Sequence, residues 1–118
     1  MAQDDNGAIA RLVTGMLGAT AGRAALGALT IDPALLAERG PTLSRAAFAM
    51  AMNVVLFHDL LDRVPSGRAY VEDVRARGDR VTFDHGALRT IRFDQGPTGS
   101  LPPGEAAFTR ILRPLGYF

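Results

Sequence analysis

The sequence predicts an α+β fold, because helical spacing of apolar residues over most of the chain gives way to alternating spacing after Gly78. A length of 118 residues suffices for one domain with a modest core and is too short for two. We therefore expect a single domain over residues 1–118. It should be helical over residues 8–78 and form a strand, a loop and a helix over residues 79–118.

Helical segments are predicted at both ends of the first third of the chain. Apolar residues at i, i+3, i+4, i+7 and i+8 between Ile9 and Leu17 form one helical face. Asp32 and Pro33 have the character of an N-cap and a first helical residue, which predicts a short helix over residues 34–38. The glycines of this region follow a helix at irregular spacing, so they are interpreted as helix breakers and not as a phosphate loop: Gly15, Gly18 and Gly22.

A central helix is predicted over residues 44–61, with Ser44 as its cap. The segment is apolar almost all round, which indicates a helix contacted on several sides. Pro65 should end it, and Ser66 can cap a further helix that continues to Gly78. The side chains expected to point inward from that helix are Tyr70, Val71 and Val74.

Residues 81–93 alternate as in a β-strand. One face of this strand would carry Val81, Phe83, His85, Ala87, Arg89, Ile91 and Phe93. A loop rich in Gly and Pro follows over residues 94–103, and then a last helical stripe of Phe108, Ile111, Leu112 and Leu115. A lone strand leaves backbone groups unpaired on both edges, so another chain, including a second copy of this one, or further sequence should complete the sheet.

His85 and Arg89 are the residues best suited to chemistry. Alternation puts them on one strand face, about 13 Å apart at ~3.3 Å per residue, with only a small alanine between them. Imidazole is a common metal ligand, and guanidinium offers a fixed fork to a carboxylate. The spacing equally allows a core histidine bonded to a backbone carbonyl and an arginine paired with Asp84 or Asp94. His58, near the end of the central helix, is interpreted as interacting with the helix dipole.

Composition narrows the function classes. There is no cysteine, so a metal would have to be held by His, Asp or Glu. The net charge is +1 and the 13 basic residues are dispersed among acids, which argues against nucleic-acid binding. No apolar run has the roughly 18 residues of a membrane span, and the first residues lack the features of a secretory signal, so we expect a cytoplasmic protein without a membrane partner.

The segment FDHGALRT at residues 83–90 resembles the His-Gly-Ala-(aliphatic)-Arg motif of the 2-oxoadipate dioxygenase/decarboxylase family. The residues leading to it, from Leu56 to Gly78, are similar to the helical region before that motif, and residues 108–118 are similar to the helix and Leu-Gly-Tyr segment after it. The resemblance covers residues 46–118 and is weak before them. The motif is fairly specific because it fixes a His, a Gly, a small residue and an Arg together.

The resemblance implies the beginning of a vicinal-oxygen-chelate-like mixed sheet with a mononuclear iron(II), for which His85 would be one ligand. It implies that Arg89 holds a carboxylate of the substrate. The implied reaction is the O2-dependent decarboxylation and hydroxylation of 2-oxoadipate to 2-hydroxyglutarate, a step of lysine catabolism.

This sequence departs from the family in its length. Family members are more than twice as long, and the second His and the Glu that complete the iron site have no counterpart here. We therefore expect an oxidoreductase whose amino-terminal part alone is inactive. The alternatives are a truncated, non-catalytic relative that acts as a folding or interaction module, and a plain helical interaction domain in which His85 and Arg89 are buried beside local partners.

Overall fold

The computed structural model describes residues 6–84, 89, 90, 102 and 104–117. Over these residues helices dominate and accompany a two-stranded parallel sheet, so the predicted α+β class is confirmed. The elements are α1 (Ala8–Leu17), α2 (Ala19–Ala28), β1 (Leu29–Thr30), α3 (Pro33–Leu36), α4 (Arg45–Arg63), α5 (Pro65–Ala76), β2 (Val81–Thr82) and α6 (Glu105–Leu112). Among the described helices, none is both long and apolar enough to cross a membrane.

Two compact units make up the chain, and the first ends at Phe83. The sequence placed the change from the helical region to the strand region after Gly78. In the structure β2 lies before the end of the first unit, together with the helices that precede it. The core of the first unit lies among α1, α2, β1, α4 and α5. Its buried members are Ile9, Ala10, Val13, Ala25, Leu26, Ala28, Leu29, Ile31, Ala47, Ala51, Val54, Phe57 and Val71.

The helix α2 was not predicted, and two of the glycines interpreted as breakers lie inside helices. Gly15 is in α1 and Gly22 is in α2, whereas Gly18, at φ 90°, does separate the two helices. Gly22 is buried where α2 approaches α1, and a Cβ atom there would lie 2.8 Å from Thr14 Cγ2 and 3.0 Å from Thr14 Cα. The small residue therefore serves close helix packing, and the prediction of a breaker is wrong.

The start of α4 is fixed as predicted. The Ser44 hydroxyl accepts a hydrogen bond from the Ala47 backbone N–H at 3.1 Å, which satisfies one free donor of the first turn. Ser44 in turn donates to the Glu38 carboxylate from its hydroxyl at 2.6 Å and from its backbone N–H at 2.8 Å. These two hydrogen bonds lower the pKa of the Glu38 carboxyl. The shorter helix α3 begins as predicted, with Asp32 capping Ala34 at 2.8 Å, but ends at Leu36.

The predictions for α5 and for the surface of α4 need correction. Helix α5 begins directly at Pro65, so Ser66 lies within its first turn and is not its cap. Val71 and Val74 are buried as expected, whereas Tyr70 is 63% exposed. Contact on several sides of α4 was also expected and is found, since α1, α2, α3 and α5 pack against it, but one of its faces is open. The large side chains exposed there are Phe48, Leu56 and Leu60.

The strand β2 has a partner within the chain. It pairs in parallel with β1, in the register Leu29 to Val81 and Thr30 to Thr82. It is therefore not the lone strand that the sequence had led us to expect, because β1 pairs with one of its two edges. That another chain or further sequence completes the sheet stays a prediction. The strand was predicted over residues 81–93, but among the described residues it ends at Thr82. Phe83, Asp84, Arg89 and Thr90 are not in a strand, and residues 85–88 and 91–93 lie outside the described part.

Candidate functional site

Arg89 lines an open concavity of about 520 Å³ in the second unit. Its side chain is exposed, and it is followed in the same lining by Thr90. The remaining lining residues all come from α6: Glu105, Phe108, Thr109 and Leu112. The concavity is thus formed by the end of the motif segment and one helix.

The α6 residues of the lining lie at positions i, i+3, i+4 and i+7, which is one face of a helix. The helix begins after Gly104, which has a φ of 60° that favours glycine. It ends with a turn in which the Tyr117 N–H donates to the Leu112 carbonyl at 3.0 Å. Sequence spacing predicted this helix, and the structure confirms it. Of the predicted apolar stripe, Phe108 and Leu112 line the concavity, whereas Ile111 is 55% exposed and Leu115 lies beyond the end of the helix.

The electrostatics of the concavity combine one cation and one anion. No carboxylate among the described residues forms an ion pair with Arg89, so the predicted alternative of a pair with Asp84 is not found there, and Asp94 lies outside the described residues. Glu105 brings a negative charge in the first turn of α6, where a carboxylate is favoured by the helix dipole. The Arg89 guanidinium is therefore available to a ligand. The carboxylate of Glu105 would repel an anionic group of that ligand.

Apolar surface and hydroxyl groups complete the lining. Phe108 is 37% exposed and lies one turn before Leu112 on the same helix face. The Thr109 hydroxyl donates to the Ala106 carbonyl at 3.3 Å, a local bond that leaves its oxygen lone pairs available as acceptors. A cation beside a short apolar surface suits a small organic anion with a methylene chain.

His85, the predicted metal ligand, lies outside the described residues, and so does its predicted position on one strand face with Arg89. His58 is half-buried on α4, with its Nε2 atom 3.5 Å from Asp62 Oδ2 one turn further along. Within the described part of the chain, no three His, Cys, Asp or Glu side chains come together as a metal site. Of the two predicted site residues, only Arg89 can therefore be compared with the structure.

Sequence reasoning did not single out Glu105 or Thr109. The pattern that could have found them was present, because both fall on the face already defined by Phe108 and Leu112. What the sequence could not reveal is that this face turns toward Arg89, since the partner of a helix face is a tertiary property.

Comparisons with known proteins support the fold at the level of a superfamily. No protein-family model matches the sequence, and no curated protein matches it either. The chain is similar to a crystal structure of a protein named as belonging to the glyoxalase superfamily, from Ralstonia eutropha JMP134, with 50% sequence identity and a TM-score of 0.82. The match covers 93% of this chain and 34% of that one, so the chain spans about a third of the neighbour's length.

This likeness agrees with the vicinal-oxygen-chelate-like fold that the motif resemblance implied. Enzymes are common in the glyoxalase superfamily, which fits the expectation of an enzyme. The neighbour's name gives no substrate, so the 2-oxoadipate reaction stays a prediction.

Proposed function

We propose that this chain is the substrate-anchoring, amino-terminal part of a non-haem iron(II) dioxygenase/decarboxylase that converts 2-oxoadipate to 2-hydroxyglutarate. The proposal joins the motif at residues 83–90 to the likeness with part of a glyoxalase-superfamily protein. The observation that carries it is Arg89, which lies exposed in a concavity and has no ion-pair partner among the described residues.

The rest of the lining fits the proposed substrate. The forked guanidinium of Arg89 would bind a terminal carboxylate through two parallel hydrogen bonds. Phe108 and Leu112 would then contact the methylene chain between the carboxylates, and the hydroxyls of Thr90 and Thr109 could bond to its polar atoms. Glu105 opposes a second carboxylate near α6, so the substrate should lie with its other acid group directed away from that helix.

The described residues do not by themselves form an iron site, because they contain no cluster of three ligand side chains. In the proposal, His85 supplies one ligand, and the others belong to polypeptide equivalent to the unmatched part of the neighbour. The role of this chain is accordingly substrate binding together with one contribution to the metal. Oxygen consumption with 2-oxoadipate is expected only when the remaining ligands are present.

Substrate binding can be measured on the chain as it stands. We expect titration with 2-oxoadipate to shift the amide resonances of Arg89 and of α6 in two-dimensional NMR spectra. Arg89→Lys should weaken binding by about 10-fold or more, because loss of a hydrogen bond to a charged group costs about 1.5–3 kcal/mol. Glu105→Gln should strengthen it, because a like charge is removed from the lining.

Arg110→Lys is the matched control, since Arg110 lies on α6 outside the lining of the concavity. It should leave the affinity unchanged. If Arg89→Lys and Arg110→Lys weaken binding equally, the loss does not come from the guanidinium fork at position 89, and the proposed anchor is wrong.

Iron binding tests the role of His85. Calorimetry on the chain alone should give at most weak iron(II) binding, because one imidazole cannot replace a three-ligand set. In a chain that also carries the remaining ligands, His85→Ala should abolish iron binding, while Arg89→Lys should retain the metal and lose substrate affinity. Tight stoichiometric iron in the 118-residue chain would contradict the assignment of a single ligand to it.

A further inference from the structure

Helix α4 carries an exposed apolar stripe. Phe48, Leu56 and Leu60 are 48%, 52% and 53% exposed, and the half-buried Met52 lies between them. The four residues follow one another at i, i+4 spacing, so they share one side of the helix and extend about 18 Å along it at ~1.5 Å per residue. We call these four side chains the α4 stripe.

The other side of the same helix is buried in the core. Ala47, Ala51, Val54 and Phe57 are all buried in the core of the first unit. Helix α4 is therefore apolar both on its core side and along the stripe. A helix with apolar residues all round is typical of one covered on both sides in a larger fold.

Polar and charged groups accompany the stripe at one end. His58 Nε2 and Asp62 Oδ2 approach to 3.5 Å, and Arg63 Nε lies 3.1 Å from Asp59 Oδ2. Apolar residues beside exposed polar and charged groups resemble the apolar centre and polar rim of a protein interface. This end of the helix thus has the composition of a docking surface.

We propose that the α4 stripe is the docking surface for the polypeptide that supplies the part of the glyoxalase-superfamily fold outside this chain. The Ralstonia eutropha neighbour matches 93% of this chain, but the match accounts for only 34% of the neighbour. The unmatched two thirds of the neighbour are a large polypeptide with no counterpart in this chain, and they are the occupant that we assign to the stripe. The stripe is an apolar helix face without a covering layer among the described residues.

A second copy of the chain is a poorer occupant. Three of the side chains are about half exposed and Met52 is less exposed, so at no more than ~200 Å² for each whole side chain the stripe offers less than roughly 400 Å². A stable interface between free proteins needs about 800 Å² from each partner. A segment joined to the same chain can use a smaller surface, because its effective concentration is high. The proposal does not depend on the iron chemistry, and substrate binding at Arg89 can fail without affecting it.

Thiol labelling can test this directly, since the chain has no cysteine of its own. Leu56→Cys places a single thiol in the stripe, and Met16→Cys places a control thiol at a 66% exposed position of α1. Alkylation rates would be compared by peptide mass spectrometry in two proteins. One is the 118-residue chain, and the other is a hybrid in which this chain replaces the matched third of the Ralstonia eutropha protein.

We expect the Leu56→Cys thiol to react about tenfold more slowly in the hybrid, with the Met16→Cys rate nearly unchanged. Equal rates for Leu56→Cys in the two proteins, or equal slowing at both positions, would overturn the proposal. If the thiol of the 118-residue chain reacts more slowly as the protein concentration rises, a second copy is the occupant. If phosphatidylcholine/phosphatidylglycerol vesicles slow the reaction, a membrane is the occupant. Either result would also overturn the proposal.

A second measurement does not need the hybrid to fold. Carbene footprinting labels exposed side chains in this chain and in the Ralstonia eutropha protein alike. The positions of the stripe should be labelled in this chain and protected at the matching positions of the intact Ralstonia eutropha protein. Equal labelling of the two would contradict the proposed cover.

Discussion

Gly22→Ala tests the close packing of α1 against α2. An added Cβ would lie 2.8 Å from Thr14 Cγ2, 3.0 Å from Thr14 Cα and 3.2 Å from Thr14 N. Carbon atoms prefer separations of about 3.5–4.0 Å, and two of these three atoms belong to the backbone and cannot rotate away. Overpacking costs about 1–3 kcal/mol, and the backbone contacts place this site near the upper end. Alanine gains about 1 kcal/mol over glycine within a helix, so the net loss should be about 2 kcal/mol.

Gly15→Ala is the matched control, because Gly15 is exposed on α1 and a Cβ there meets nothing within 4 Å. It should stabilise the protein by up to about 1 kcal/mol. Urea unfolding followed by circular dichroism measures both. With a slope of about 2 kcal/mol/M, the midpoint should fall by about 1 M for Gly22→Ala and rise slightly for Gly15→Ala. A Gly22→Ala midpoint equal to or above that of Gly15→Ala would refute the packing described for these helices.

Two further predictions concern the beginning of α4. Ser44→Ala should destabilise the protein by about 1 kcal/mol in the same urea experiment, because the Ala47 N–H loses its cap, and an unchanged midpoint would contradict the capping role. The lowered pKa of Glu38 should add stability above its ordinary value of 4.5, and this contribution should be lost as pH falls through the lower, folded-state pKa. Glu38→Gln should therefore remove part of the stability loss seen on acidification below pH 4.5, and identical pH profiles for the two proteins would exclude the linkage.

The helices that the sequence predicted are those whose local signals agree with their packing. For α1 the apolar face at helical spacing is buried at Ile9 and Val13, which are fully buried, whereas Met16 near its end is 66% exposed. For α4 the cap at Ser44 fixes the start. The exposed side of α4 was not predictable in the same way, because an apolar residue looks the same in a sequence whether its cover is present or not.

The elements that were missed have weak local signals and depend on distant contacts. Helix α2 is rich in alanine and contains Gly22 and Gly27. Its sequence therefore shows no clear amphipathic stripe of large apolar residues. Strand β1 has only two residues, too few to show alternation, and exists through its pairing with β2. Gly27 also accepts a hydrogen bond from the Arg75 guanidinium of α5, a contact between residues 48 positions apart that no local pattern encodes.

The candidate site was predictable to the extent that a motif marked it. Arg89 was singled out by the alternating spacing and by the motif resemblance, which pairs it with His85, and its role as a substrate anchor stays a prediction. Glu105 and Thr109 have no such mark, and their part in the lining depends on how α6 folds back toward Arg89. Helical spacing can reveal which residues share a face, but the partner of that face is a tertiary property.

The first unit contributes to the motif by fixing the chain just before it. The Phe83 ring meets Phe57 of α4 edge-on, with ring centroids 5.6 Å apart and planes at 76°, a favourable aromatic geometry. Val81 is held in register by β1, so the chain is anchored by both backbone and side chain where the motif begins. Phe57 is one of the buried residues of α4, so Phe83 packs on the core side of that helix.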